Sequence, residues 1–189
     1  MKTAIITDSN SGLTQKETKE LGIFVVPMPG LIDDDTFYED LTMTQENFYE
    51  KLKSNVRVST SQPNPEHVGE IWDNALKTYD EIVYIPMSSG LSETCRTLQH
   101  YSETEERFKG KVFVVDNQRI SITQKQSVFD AIKLAEEGKS AKEISDWLMD
   151  TKMTSSIYIM VDTLKYLKKG GRLTPAVAEI GTLLRIKPV

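Results

Sequence analysis

Apolar residues come along this chain in two rhythms. Short runs at residues 4–6, 23–26, 82–85, 112–115 and 157–161 are too brief for helices and are bounded by polar residues or proline, so they predict buried strands. Between them the spacing lengthens to that of a helix: Val68, Ile71, Trp72, Ala75 and Leu76 recur on one face, as do Phe48 and Leu52. The helix starts carry their own signals. Thr14 with Glu17 and Ser140 with Glu143 have capping-box spacing, Thr44 precedes a helix reaching Lys53, and Asn64 followed by Pro65 is a cap and first-turn pair. Gly22 and Gly138 mark stops, and further helices are expected over 93–107, over 121–137, around Leu164 and Leu167, and from Pro175 to Leu184. Strand followed by helix, repeated, predicts an α/β fold: a mainly parallel sheet with helices on both faces. Asp33, Asp34 and Asp35 form the turn of an irregular, hairpin-like excursion from that pattern.

Composition narrows the possible partners. A chain of 189 residues suffices for one domain with a proper core, or one domain plus part of another. With 39% hydrophobic and 27% charged residues it has an ordinary globular composition, without an apolar run of membrane-spanning length. The net charge of -5 and the lack of clustered Lys and Arg argue against a nucleic-acid surface. The apolar start, residues 4–6, is far shorter than a signal peptide requires. Cys95 is the only cysteine, which excludes an intramolecular disulfide or a cysteine-cluster metal site and fits a reducing cytoplasm.

In parallel sheets ligands bind outside the carboxyl ends of the strands. Those ends here carry Asp8 and Ser9, Thr60 and Ser61, Ser88 and Ser89, and Asp116, with Arg172 in a loop beyond Asp162. The stretch Ser88, Ser89, Gly90, Leu91, Ser92 lies where a strand turns into a helix. Unpartnered N–H groups and the helix dipole favour an anion there, although either serine also reads as a helix cap. No G-x-S-x-G elbow, Ser, His, Asp order, Walker loop or G-x-G-x-x-G fingerprint accompanies it. The three consecutive aspartates lack the alternation and the downstream glycine and glutamate of a calcium loop. His67 in a first helical turn reads as a surface or capping residue. What remains is hydroxyls, backbone donors and one arginine after paired glycines, a set suited to holding an anion without attacking it. A carboxylate so held gains roughly 1.5 to 3 kcal/mol per charge-assisted hydrogen bond, and an attached alkyl tail adds about 0.8 kcal/mol per buried methylene.

Several segments, taken together in chain order, resemble the DegV family: Thr7, Asp8, Ser9; Thr60, Ser61, Gln62, Pro63; Ser88 to Ser92; Gly171, Arg172, Leu173, Thr174; and Gly181 to Leu184 with Lys187, Pro188, Val189. The resemblance implies a two-domain α/β protein of the EDD fold, with residues 1–152 as the N-terminal domain and 153–189 as the opening segment of a second, lipid-cavity domain. It further implies a non-catalytic subunit that binds one long-chain fatty acid and needs no other cofactor. Such a subunit presents the acid's carboxylate to the catalytic subunit of a fatty-acid kinase for phospholipid synthesis. By motif, Thr60 or Ser61 and a serine among Ser88, Ser89 and Ser92 bind the carboxylate directly or through water. Arg172 lies near the ligand head or the kinase-docking surface. Two departures stand out. Glu93 occupies a position where the family usually has glycine, placing a negative charge near the expected head group. The sequence also ends at Val189, before most of the second domain and a histidine that the family places near the carboxylate; it is a fragment or a reduced member, with Ile180, Leu183, Leu184 and Ile186 exposed. Two other readings compete: a kinase-related enzyme or substrate-binding subunit of the dihydroxyacetone-kinase type using His67 or His100, and an interaction module built on the acidic excursion.

Overall fold

The computed structural model describes residues 1–33, 35–54, 56–161 and 163–172. Its centre is a four-stranded parallel sheet in the order β2-β1-β6-β7, formed by β1 (Thr3–Asp8), β2 (Phe24–Val26), β6 (Glu81–Ile85) and β7 (Val112–Val114). Register runs Ile5 against Val83 and Ile6 against Tyr84 between β1 and β6, then Val83 against Phe113 between β6 and β7. All of β6 is buried, and its side chains alternate between two cores. Ile82 and Tyr84, with Ala4 and Ile6, pack on the face that also holds Val68, Trp72, Leu98 and Phe108. Val83 and Ile85, with Ile5, pack on the opposite face against Val128, Ala131, Ile144 and Leu148. The two-residue period of a strand thus distributes one sequence run over two cores.

The helices follow from their sequence signals. α1 (Gln15–Glu20) and α6 (Ala141–Asp150) begin at the capping boxes of Thr14 with Glu17 and Ser140 with Glu143. α3 (Pro65–Ala75) begins at Asn64, whose side chain accepts from Glu66 N, with proline in its first turn. Val68, Trp72 and Ala75 form its buried stripe. α4 (Thr94–Thr104) and α5 (Ser121–Glu136) occupy the expected places, and Gly22 and Gly138, after α1 and α5, take φ of 67° and 83°. A left-handed residue of that kind is where glycine is least costly.

The excursion is a second sheet. β3 (Pro29–Ile32) pairs antiparallel with β4 (Asp35–Tyr38) on one side and β5 (Val58–Thr60) on the other, giving the order β4-β3-β5. Asp33 has φ 54°; its N–H donates to Arg57 O and its carboxylate accepts from Arg57 N, so this aspartate serves the turn. α2 (Gln45–Lys53) connects β4 to β5, capped by Thr44.

One expected strand is not formed. Residues 157–161 make no strand, with Tyr158 81% and Met160 72% exposed. A short apolar run needs a hydrogen-bonded neighbour to become a strand, and no partner for this one occurs among the described residues. α7 (Lys165–Lys169) follows, with Leu164 just before its first turn. The expected helix from Pro175 to Leu184, the motif residues from Leu173 onward, and the expected exposure of Ile180, Leu183, Leu184 and Ile186 lie outside the described residues. No described helix is long and apolar enough to cross a membrane.

Candidate ligand-binding site

The carboxyl ends of β1 and β6 are tied together by a buried acid. Asp8 is fully buried; its Oδ1 accepts from Asn10 N at 3.0 Å and Gln124 Nε2 at 3.0 Å, and its Oδ2 accepts from Met87 N at 2.8 Å. Burial raises its pKa above the ordinary aspartate value, and the hydrogen bonds from Met87, Gln124 and Asn10 pull it partly back. Gln124 Nε2 also donates to Ile85 O, so a helix on one face of the sheet braces the loops at its end. The Ser9 hydroxyl accepts from Met28 N at 3.2 Å, fastening the second sheet to the same edge.

The loop from β6 to α4 is an ordered turn. Ser88 N donates to Arg119 O at 2.9 Å, the Ser88 hydroxyl accepts from Gly90 N at 3.1 Å, and its carbonyl accepts from Leu91 N and Ser92 N. Ser89 N donates to Asp116 Oδ1 at 3.2 Å. Ser92 Oγ lies 2.9 Å from Thr94 Oγ1 and accepts from Thr94 N, so Ser92 braces the chain entering α4, whose cap position is Glu93. Arg172 returns to this loop, its Nε donating to Leu91 O at 3.4 Å.

Between the loop and the second sheet lies a cavity of about 180 Å³. Met28, Pro29, Gly30, Phe37, Met43, Phe48 and Met87 supply its apolar lining. Asn10, Glu39, Thr44, Thr60, Ser61, Ser92 and Arg172 supply its polar lining. Thr60, Ser61, Ser92 and Arg172, singled out from sequence, therefore meet at one cavity although they are distant in the chain. Ser88 and Ser89 are not among its lining residues: Ser88 is 8% exposed and its hydroxyl is occupied by Gly90 N, while Ser89 faces Asp116 through its backbone. Glu93 is also outside the lining, its carboxylate 2.6 Å from Arg96 on the surface; the carboxylate in the described lining is that of Glu39. Asn10, Glu39, Met28 and Phe37 were not singled out as ligand residues. The hydroxyl-rich turns had a motif signal, whereas these residues reach the cavity through pairing between segments far apart in sequence.

Nucleophilic chemistry finds no support at this edge. Burial, reinforced by the charges of Asp116 and Asp8, pushes the Cys95 thiol up to about 12, so it stays protonated at neutral pH. His67 is exposed and 3.2 Å from Glu70, His100 is exposed, and neither lines the cavity. Among the described residues no group of three or more His, Cys, Asp or Glu side chains is placed to hold a metal.

These features define a class: an α/β protein with a mainly parallel sheet, whose strand ends border a part-apolar cavity rimmed by hydroxyls and an arginine. Within that class the chain belongs to the DegV family, whose model, described as "Uncharacterised protein, DegV family", matches residues 2–189. It is 30% identical over 188 residues to a DegV domain-containing protein of Caldanaerobacter subterraneus, covering 100% of this chain and 66% of that protein. The chain thus spans about two thirds of the length of the curated relatives it matches. Among solved structures it resembles a fatty-acid-binding DegV family protein from Thermus thermophilus, with TM-score 0.83 and 31% identity over 100% of this chain and 66% of the other. It also resembles DegV of Bacillus subtilis, a fatty-acid-binding protein, with TM-score 0.85 and 28% identity over 96% of this chain and 64% of the other.

Proposed function

We propose that this protein binds a long-chain fatty acid, with the carboxylate at the Thr60, Ser61, Ser92 and Arg172 rim and the tail along Met28, Phe37, Met43, Phe48 and Met87. The observation that carries this reading is the cavity's division into an apolar wall and a polar rim of hydroxyls and one guanidinium, completed by Asn10 and Glu39. The fatty-acid binding of the Thermus and Bacillus relatives supports the same ligand. Among the described residues no side-chain hydrogen bond engages the exposed Thr60 or Ser61 hydroxyl, so either can donate to a carboxylate. Ser88 and Ser89 act behind them by holding the loop that presents Ser92. Each charge-assisted bond orients the head at roughly 1.5 to 3 kcal/mol, while the tail supplies most of the affinity at about 0.8 kcal/mol per buried methylene.

The protein acts as a non-catalytic subunit in the cytoplasm, without a cofactor, presenting the bound carboxylate to a fatty-acid kinase catalytic subunit for phospholipid synthesis. Residues 1–152 form the N-terminal domain, and 153–189 open a second domain that supplies another wall of the lipid cavity. Support comes from the described cavity lining, which holds no histidine or cysteine and a single carboxylate, Glu39, and from the burial of Cys95.

Mass spectrometry of the denatured, purified protein tests the ligand: about one fatty acid per chain is expected, and none sinks the proposal. Arg172→Ala and Thr60→Val each lower fatty-acid affinity roughly tenfold to hundredfold in a titration, with little effect on a fatty alcohol of equal length. Acyl phosphate forms from ATP only when the kinase subunit is added; ATP turnover by this chain alone overturns the non-catalytic assignment.

A further inference from the structure

Gly30 stands opposite Phe37 across the β3–β4 hairpin, and both line the cavity. The aromatic ring lies against the glycine so closely that a Cβ at residue 30 would fall 2.5 Å from Phe37 Cε1 and 2.9 Å from Cε2, and nearer still to Cζ. Ordinary carbon contacts need about 3.5 to 4.0 Å, so the ring has its seat because residue 30 has no side chain. On α2, Phe48 comes against the same ring, with centroids 5.6 Å apart and planes inclined by 42°. Glycine backbone, Phe37 and Phe48 are thus packed in sequence, and all three border the same space.

We propose that Phe37, seated on Gly30 and backed by Phe48, sets how much of an acyl tail the cavity accepts. The inference rests on the fatty-acid reading and concerns the tail; Thr60 is paired with Gly30 on the other side of β3, so Phe37→Ala, on β4, is the variant that leaves the rim residues Thr60, Ser61, Ser92 and Arg172 without an altered neighbour in the sheet. The geometry makes ring position the controlling variable. Removing the ring enlarges the apolar space beside Phe48. A methyl group at residue 30 displaces the ring from β3 toward Phe48 and fills that space. Two substitutions on facing strands therefore act in opposite directions on one dimension of the ligand.

The test is a titration of the protein with a series of saturated fatty acids of increasing length. Affinity rises about fourfold per methylene while each added group is buried, then levels off when the wall is reached. In Phe37→Ala that limit moves to longer acids by about two methylenes, and in Gly30→Ala it moves to shorter ones by a similar step. Phe37→Leu, which keeps an apolar wall, gives an intermediate limit, and melting curves establish that each variant is folded. Thr60→Val lowers affinity at every length without moving the limit. An unchanged limit in both Phe37→Ala and Gly30→Ala, or a shift of both in the same direction, overturns the inference while leaving the fatty-acid reading intact. Failure of the unaltered protein to bind any acid in the series overturns the reading itself.

Discussion

The two walls of the cavity are built to different standards of rigidity. On the sheet side, β1 and β6 are buried along nearly their whole length, and the loops at their ends hang from Asp8, whose carboxylate holds three donors. On the other side, no described side chain of α2 is buried, and the helix meets the hairpin through the Phe37–Phe48 ring pair. A head group that must be held in one orientation benefits from fixed donors, because misplaced donors lose most of a hydrogen bond's worth. A tail of variable length needs only apolar area, which a less constrained wall provides. On the fatty-acid reading proposed above, Ser92 and Met87 belong to the rigid wall, whereas Thr60 and Ser61, at and after the end of β5, stand with the second sheet, so the site sets a fixed loop against a less constrained sheet and helix.

The largest effect should come from the core under the rigid wall. Trp72 is fully buried and packs edge-on to Phe108 at 5.1 Å and to Tyr84 at 5.8 Å. Trp72→Ala is expected to cost about 3 to 5 kcal/mol in chemical denaturation, against a much smaller loss for the partly exposed Phe48→Ala. Comparable losses from the two variants would break the contrast between the walls.

Next comes the tether itself. Asp8→Asn keeps the shape but replaces one acceptor oxygen with a donor amide, leaving a backbone N–H of Met87 or Asn10 without its partner. Denaturant titration should show a loss of about 1 to 3 kcal/mol. Fatty-acid affinity should fall with it, because the loops bearing Asn10 and Met87 lose their common anchor. Full stability in that variant would mean that the rigid wall is held by something else.

Acid should reveal the smallest effect and the clearest sign. Glu17, in its capping box and 3.0 Å from Lys125, has a pKa lowered to about 2, chiefly by the backbone hydrogen bond from Thr14. Its contribution is present above the ordinary value of 4.5 and is lost as pH falls from there toward 2. Asp8 has the opposite sign: its pKa is raised by burial, so the cost of holding it ionised at neutral pH is relieved as pH falls through that raised value toward 3.8. Melting curves between neutral pH and pH 2, recorded for the protein and for Glu17→Gln, separate the two. Glu17→Gln should flatten the decline on the acid side, and an unchanged profile would remove the capping box from the account.

Local grammar made much of the fold legible. Thr14 with Glu17, Asn64 with Pro65, and Ser140 with Glu143 each satisfy helix-end donors within a few residues, so their consequences do not wait for the rest of the chain. The run at 82–85 was legible as a strand because burial on both faces leaves no place for a polar residue. The run at 157–161 had a similar look and forms no strand, since a strand is defined by a neighbour and none is paired with it among the described residues. The second sheet was only half visible: its turn at the aspartates was local, but the pairing of β3 with β5 joins segments separated by all of α2.

The serines after β6 show where the division falls. By itself the sequence determined that hydroxyls, backbone donors and an arginine accumulate at strand ends, and that no nucleophile motif accompanies them. Only the tertiary structure decided that Ser92 borders the cavity while Ser88 and Ser89 support the loop, and that Glu93 turns to Arg96 on the surface. It alone also seated Phe37 on Gly30 at the edge of the cavity. Residue types and their spacing along the chain specify which groups are offered. Which of them face one another depends on strand pairing and loop hydrogen bonds between distant segments, and those are properties of the folded chain.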